Sequence, residues 1–508
     1  MPWEAIIILA GQGILLAVFS FFAFFNYLYG FANFWRPRIP RTRPSGKRIA
    51  VVIVAFNEEH VLEDTIRACD ALTYPNKRII LADDSTDPTI VENLRRYAIS
   101  RGCKKIARHG FYQEERTGAG QSRNIPIEIW ESSDFVLFHR PNNRGFKAGS
   151  IQKVHEYLDQ SGIELMYLLD ADWCPQRDAL ERTLEVLEAD EHVAFVQTKR
   201  ISSPKGMNLL QKHVALSEEG CYYVDNPGRQ VIGHPILFTG CCALIRLDAV
   251  TMVGGVSPGH LTEDLDLVNR FWLKGWRGVY LSDVINYGEV PFTYDHFYRQ
   301  QQRWAAGTAR ALREFFWPIL KSKELKWFEK LSAIRQNTYF VTGLFTEAAI
   351  LLGMVTITWI GLRWNSYSVE YYLYVLGSVK LPFVLLIYTC LLSNFVEPFC
   401  MILVKKRKVS DLAYLPLMVW YNWSVIPAYA LGSIQGFCNI SLDWFRTPKF
   451  HRRRVGHLPR MPASARAINV CSFVALLGFY FAEGWLFGWF DEFALLLIPA
   501  FLLASVIR

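Results

Sequence analysis

Apolar positions in this chain follow two unlike patterns. Between Lys47 and about Glu329 they form short runs broken by polar turns, whereas Met1–Trp35 and Gln336–Arg508 carry long apolar runs. In the first region, Arg48–Phe56 (RIAVVIVAF) is a continuous β-branched run. Asn57, Glu58 and Glu59 follow it, and a helical apolar spacing then runs from Val61 to Ala71. That pattern predicts strand, polar loop, helix. Arg78–Ala82 ends in Asp83, Asp84 and Ser85, and Leu165–Leu169 ends in Asp170, Ala171 and Asp172. Ligands of open α/β sheets bind beyond the carboxyl ends of the strands, so these carboxylates are expected to share one crevice. A polar turn with Asp follows many strands for structural reasons alone; it is the repetition that points to a site.

The second pattern predicts membrane spans, since a crossing helix needs about 20 mostly apolar residues. Ile6–Phe34 qualifies, and Arg36, Arg38, Arg41, Arg43, Lys47 and Arg48 follow it at once. The positive-inside rule then puts the next domain in the cytoplasm. Further spans are expected near 339–362, 371–404, 467–486 and 493–507. The segment 412–440 lies between Lys405–Lys408 and the basic stretch Arg446–Arg460, so a single crossing would leave one cluster outside. It is expected to lie along the interface or to re-enter the bilayer. The reading is thus an anchor helix at 1–35, a cytoplasmic domain at 47–306, amphipathic interface helices at 307–335 and a membrane channel region at 336–508. An anchor alone needs one helix; a bundle more often makes a path.

Composition agrees with this division. Of the 508 residues 51% are hydrophobic and 20% charged, too apolar for an ordinary soluble enzyme and too charged for a pure bundle. The net charge of +8 resides beside apolar segments, which argues for membrane orientation and against a nucleic-acid face. Ten cysteines without paired C-x-x-C spacing read as reduced thiols, not as a zinc site. No Walker or dinucleotide glycine loop follows the first strand, which weakens NTPase and dehydrogenase readings.

The acidic pairs permit a definite chemistry. A departing nucleoside diphosphate needs its charge neutralised, and Mg²⁺ or Mn²⁺ held by one or two carboxylates does that. Asp170 and Asp172 have suitable spacing, and Lys147, between Gly145 and Gly149, offers a fixed cation or a solvated surface lysine. Thr262-Glu263-Asp264 opens a predicted helix with Thr262 as its cap; Asp264 could equally favour the helix dipole or act as a base on a sugar hydroxyl. Gln300-Gln301-Gln302-Arg303-Trp304 combines an amide, a guanidinium and an indole, suited to phosphate and to a sugar face, or to an interfacial anchor.

Five stretches in order, Asp83–Asp87, Asn143–Gly149, Asp170–Asp172, Thr262–Leu267 and Gln300–Trp304, resemble the processive family 2 glycosyltransferases. These are the cellulose synthases and their relatives, with the plant mannan and glucan synthase-like branch nearest. The resemblance implies a GT-A domain, a mixed, mostly parallel α/β sheet, inserted in a helical transmembrane region. It implies that Asn57, Glu58, Asp83, Asp84, Lys147, Asp170, Gln300 and Arg303 hold the donor and that Asp172 and Asp170 face the metal. Asp264, with Glu263 beside it, would be catalytic. Gly240, Cys242 and Trp304 would meet the acceptor, although a small buried side chain explains Cys242 as well. Thr447 and Lys449, at 445–450, resemble a gating loop. No cyclic-nucleotide-binding domain is expected.

The expected function is processive, inverting polymerisation of a nucleotide sugar into a β-linked polysaccharide that crosses the lipid bilayer. UDP-glucose and a β-glucan come first, GDP-mannose and a β-mannan second. A non-processive glycolipid enzyme and a non-enzymatic transport or scaffold protein are the rivals. Helper subunits stay open.

Overall fold

Ile49–Ala55 forms β1, and nearly every side chain along it is buried. A strand without polar alternation needs cover on both faces of its sheet. A computed structural model, which describes residues 2–58, 61–107, 110–116, 122–202, 207–405, 421–422, 424–440 and 470, shows that cover. The ten-stranded sheet runs β3 (Lys104–Ile106), β6 (Glu128–Glu131), β7 (Phe135–His139), β2 (Lys77–Asp83), β1, β8 (Leu165–Asp170), β11 (Ala243–Arg246), β10 (Val193–Ser202), β12 (Arg277–Gly288), β9 (Cys174–Pro175). A separate pair joins β4 (Tyr112–Arg116) to β5 (Ser122–Pro126).

On one face pack α2 (Leu62–Asp70), α3 (Pro88–Ser100) and α5 (Ala179–Leu187). On the other pack α4 (Phe146–Gln160), α8 (Leu247–Met252) and α9 (Glu263–Leu273). The sheet is mixed, but "mostly parallel" overstates it. Parallel pairing holds within β7-β2-β1-β8 and between β10 and β12, while β11, β9, β6 and β3 pair antiparallel. Helical crossovers separate the parallel strands, and only such long connections permit parallel neighbours.

Register does the work that matters for the site. Val54 lies beside Ala82 and Asp170, Ala55 beside Asp83, and Asp83 beside His139. The ends of four strands therefore coincide, and their polar loops share one edge.

Beyond the sheet come α6 (Leu209–Gly220), a π-helical turn (Cys221–Asp225), α7 (Asn226–Ile232), α10 (Tyr294–Lys321) and α11 (Trp327–Thr338). Among the described residues two helices are long and apolar enough to cross a membrane, α1 (Trp3–Ala32) and α12 (Thr342–Leu362). Tyr371–Val404, expected as one span, is divided among α13 (Tyr367–Ser378), α14 (Lys380–Ser393) and α15 (Val396–Lys405). Pro382 and Pro398 each stand in the first turn of the helix they occupy. A first-turn N–H has no intrahelical partner, so proline fits a helix start and resists a helix middle.

The last described helix, α16 (Ile426–Phe437), lies along α10. A Cβ at Gly432 or Gly436 would overlap α10's backbone, so glycine spacing sets this close approach. Gln302 donates from Nε2 to Gln435 Oε1 at 2.9 Å across the same contact. The expected spans at 467–486 and 493–507, and Thr447 and Lys449 of the loop at 445–450, lie outside the described residues.

Candidate active site

The aspartates after β2 are fixed by groups from the neighbouring strand. Asp83 accepts from Ser85 Oγ at 2.6 Å and meets His139 Nδ1 at 2.7 Å. Asp84 accepts from Arg140 Nε at 2.7 Å and Ser150 Oγ at 3.1 Å. Burial raises the Asp84 carboxyl above its usual range although Arg140 opposes the shift. His139 and Arg140 follow the apolar run FVLF, so the strand-end rule that singled out the aspartates would have found their partners too. Asn57 has φ +50° and accepts backbone N–H groups of Thr86 and Asp87 at 3.0 and 3.1 Å. It shapes the turn from which Asp87 caps α3.

At this edge opens a cavity of about 400 Å³. Eleven expected residues line it: Glu58, Asp84, Lys147, Asp170, Asp172, Gly240, Glu263, Asp264, Gln300, Arg303 and Trp304. Asn57, Asp83 and Cys242 are not among its lining residues. Cys242 is fully buried, with φ +57°, and its carbonyl accepts from Thr198 N at 3.0 Å. Its backbone leads from the loop after α7 into β11, its N–H donating to the Leu168 carbonyl at 2.7 Å.

Lys147 Nζ is 2.6 Å from Asp170 Oδ1, 3.5 Å from Glu263 Oε1 and 2.8 Å from the Gly240 carbonyl. It is thus clamped among protein oxygens. Burial alone would lower the ammonium, but the two carboxylates raise it well above the ordinary lysine range. Reciprocally, burial alone would raise Asp170, yet Lys147 holds it below the usual carboxylate range. The flanking glycines answer to protein contacts. A Cβ at Gly145 would meet Pro258 at 2.8 Å, and one at Gly149 would strike the Arg144 carbonyl.

Asp264 sits in the first turn of α9, where a helix N-terminus favours negative charge by about 0.3–1 kcal/mol. Burial, reinforced by Glu263, outweighs that and raises its pKa to about 6, against the pull of Lys147 and Arg303. Thr262 occupies the N-cap position, but its side chain makes no cap hydrogen bond. It packs instead on Gly307 of α10, where any Cβ would overlap it. That contact joins the Asp264 loop to the helix bearing Gln300, Arg303 and Trp304. Burial lowers the Arg303 guanidinium, and neither its Nε nor Gln300 Oε1 has a partner among the described residues.

Gly240 has φ +79°, and a Cβ there would lie 3.1 Å from Asp264 Oδ2. Gly240→Ala should therefore cost about 1–2 kcal/mol of backbone strain and displace the carboxylate. Turnover at this site is expected to fall at least about tenfold with the fold intact, read beside thermal unfolding. Unchanged turnover would show that Asp264 tolerates the intrusion.

Away from the strand ends the cavity continues between helices, past Trp304, Phe340, Tyr429, Gln336 and Glu397. Ring centroids lie 5.7 Å apart for Trp304 and Phe340 and 5.3 Å for Phe340 and Tyr429. The sequence reads 336–508 as a channel region, but no local signal there singles out Gln336, Phe340, Glu397 or Tyr429. Asp170 and Asp172, two hard oxygen donors lining one strand end, suit Mg²⁺ or Mn²⁺.

The family described as "Glycosyl transferase family group 2" matches residues 165–423, about half of the chain. The chain belongs to the family 2 glycosyltransferases. A second description, "Glycosyl transferase family 2", matches residues 50–138. Probable glucomannan 4-beta-mannosyltransferase 2 of Oryza sativa subsp. japonica is 29% identical over 284 residues, 56% of this chain and 44% of the relative. Glucomannan 4-beta-mannosyltransferase 9 of Arabidopsis thaliana is 26% identical over 351 residues, 66% of this chain and 59% of the relative. The chain thus spans about half the length of the curated relatives it matches. The mannosyltransferase PcManGT from Pyrobaculum calidifontis, solved with GDP-Man and Mn2+, superposes with TM-score 0.52 at 14% identity over 86% of this chain and 99% of that one. That likeness shows the GT-A-like fold.

Proposed function

We propose that this family 2 glycosyltransferase is a processive, inverting β-hexosyltransferase that draws GDP-mannose from the cytoplasm and extends a β-mannan through the membrane. One observation carries the reading: a single cavity holds Asp172, Asp264 and Trp304 and runs on among α11, the turn at Tyr339 and Phe340, α15 and α16. Resemblance alone ranked UDP-glucose and a β-glucan first. The relatives' names, glucomannan 4-beta-mannosyltransferases, favour the mannose alternative. The archaeal neighbour's GDP-Man and Mn2+ favour the same donor and a divalent ion.

In this mechanism Trp304 stacks beneath the terminal sugar of the chain, whose hydroxyl faces Asp264. Asp264 takes the hydroxyl proton as that oxygen bonds to the anomeric carbon from the side opposite the nucleotide. The carbon–phosphate oxygen bond breaks, the nucleoside diphosphate leaves with the bonding pair, and an α-linked donor gives a β linkage. A bound Mg²⁺ or Mn²⁺, held by Asp172 with Asp170 beside it, would neutralise the leaving diphosphate. The Arg303 guanidinium and the Gln300 amide NH₂ would donate to the same group. The aromatic faces at Trp304, Phe340 and Tyr429 offer sugars successive apolar contacts along the exit. Multi-pass insertion, with α1, α12 and the helices of 367–405 in the bilayer, belongs to this proposal.

Purified protein offered GDP-mannose, GDP-glucose and UDP-glucose, with Mn²⁺, Mg²⁺ or a chelator, tests it. Metal-dependent release of GDP and long β-mannanase-digestible product are expected. Short lipid-linked product would favour the glycolipid enzyme, a β-glucan the glucose reading, and no turnover with any donor would sink the proposal.

A further inference from the structure

Arg200 lies at the end of β10 and lines the cavity, yet none of the recognised motifs contains it. Its guanidinium carbon stands 4.8 Å from the Trp173 ring centroid and 5.1 Å from that of Tyr222. Nη1 donates to Cys241 Sγ at 3.2 Å, and the buried Nε has no partner among the described residues. No described carboxylate forms an ion pair with it, in contrast to Lys147, Arg140, Arg229 and Arg335. A guanidinium attracted to two ring faces gives up none of its N–H donors to them, so those without a protein acceptor can serve a ligand.

Strand order says which part of the ligand meets those donors. Val54, Ala55, Phe56 and Asp84, at the ends of β1 and β2, line one end of the cavity, which this arrangement gives to the nucleoside. Asp170 and Asp172 follow at the next strand, β8, and Arg200 comes after β11, on β10. Arg200 therefore stands on the side of Asp170 and Asp172 away from β1 and β2, against the Trp173 ring. A nucleotide sugar laid along this edge, nucleoside first and diphosphate at the carboxylates, brings its hexose to Arg200. We propose that Arg200 is a specificity-determining residue that donates to hydroxyls of the hexose being transferred and helps select the donor sugar. This rests on the donor arrangement of the preceding section. The two arginines come from different elements: Arg200 on β10 is assigned the sugar, and Arg303 on α10 the diphosphate.

The test compares Arg200→Gln and Arg200→Lys with the wild type, using GDP-mannose, GDP-glucose and the 2-, 3-, 4- and 6-deoxy analogues of GDP-mannose. A charged hydrogen bond to a buried hydroxyl predicts a 10–100-fold loss of kcat/KM for GDP-mannose in Arg200→Gln. The inhibition constant of GDP should stay within twofold, and the penalty should disappear for the deoxy donor that lacks the hydroxyl contacted. Arg200→Lys keeps a cation beside the rings but loses the planar fork of N–H donors, so an intermediate loss with the same deoxy pattern is expected. It also keeps the test open if the Gln variant does not fold. The proposal falls if GDP inhibition weakens in step with kcat/KM, or if every deoxy donor shows the same penalty. Wild-type protein that turns over no nucleotide sugar would refute the transferase reading instead, and so the two failures are distinguishable.

Discussion

Asp264→Asn should lower sugar transfer by roughly 10²–10⁴-fold, the range of a lost general base, while nucleoside diphosphate binding is unchanged. The amide keeps the shape of the carboxylate and its place at the start of α9, but it accepts no proton from a sugar hydroxyl. Asp264 is raised to about 6, so the wild-type rate should fall as pH drops through that value and level off above it. The stability sign is opposite to that of a paired carboxylate. With its folded pKa above the unfolded value of about 3.9, the native state holds this proton more tightly, and stability is lost as pH rises from about 4 to 6. At pH 7.5 the Asn variant should therefore melt no lower than the wild type, and turnover would be measured beside thermal unfolding. Polymer synthesis by the variant at wild-type rate would remove the base assignment.

The second large effect concerns stability. Asp225, at the end of the π-helical turn, binds Arg229 Nε at 2.5 Å and Arg335 Nη1 at 2.9 Å. Both arginines are essentially inaccessible to solvent. Arg335 also reaches Asn26 of α1 at 2.8 Å, and Arg229 reaches Ser332 of α11 at 2.8 Å. The carboxylate therefore neutralises two cations at the joint between α1, α7 and α11. Asp225→Ala leaves both charges buried, and breaking such a pair costs about 3–5 kcal/mol. A large fall in the unfolding temperature of detergent-solubilised protein is expected. Glu63→Ala, which removes an exposed pair with Arg67, should change stability by under about 0.5 kcal/mol. Burial alone would raise Asp225, but the arginines bring it down to about 2. Its contribution is thus full above the unfolded pKa of about 3.9 and lost as pH falls through 2. Equal melting of Asp225→Ala and wild type would show that the arginines find other partners.

Strand ends were the most legible part of this chain. RIAVVIVAF, RIILA and LMYLL each form a strand within a residue or two of the expected bounds, because continuous β-branched and aliphatic runs satisfy few other structures. The expected cluster of carboxylates followed from those strands, since parallel neighbours in register must end together. Lys147 was harder to read: its neighbours in sequence show a cation between glycines, and only the fold brings Asp170 and Glu263 to it. Tyr371–Val404 misled because apolar residues look alike on one helix or three, and the prolines that start α14 and α15 carry the correction.

Sequence by itself therefore determined the order of strands and polar loops and which carboxylates stand at strand ends. Those features depend on residues close along the chain, where periodicity and local sterics act. The tertiary structure decided which charges neutralise one another, that Arg200 lines the cavity beside Trp173 and Tyr222, and that this cavity reaches Glu397. Such pairings join residues tens to hundreds of positions apart, and burial makes each electrostatic contact strong through packing that no local pattern encodes.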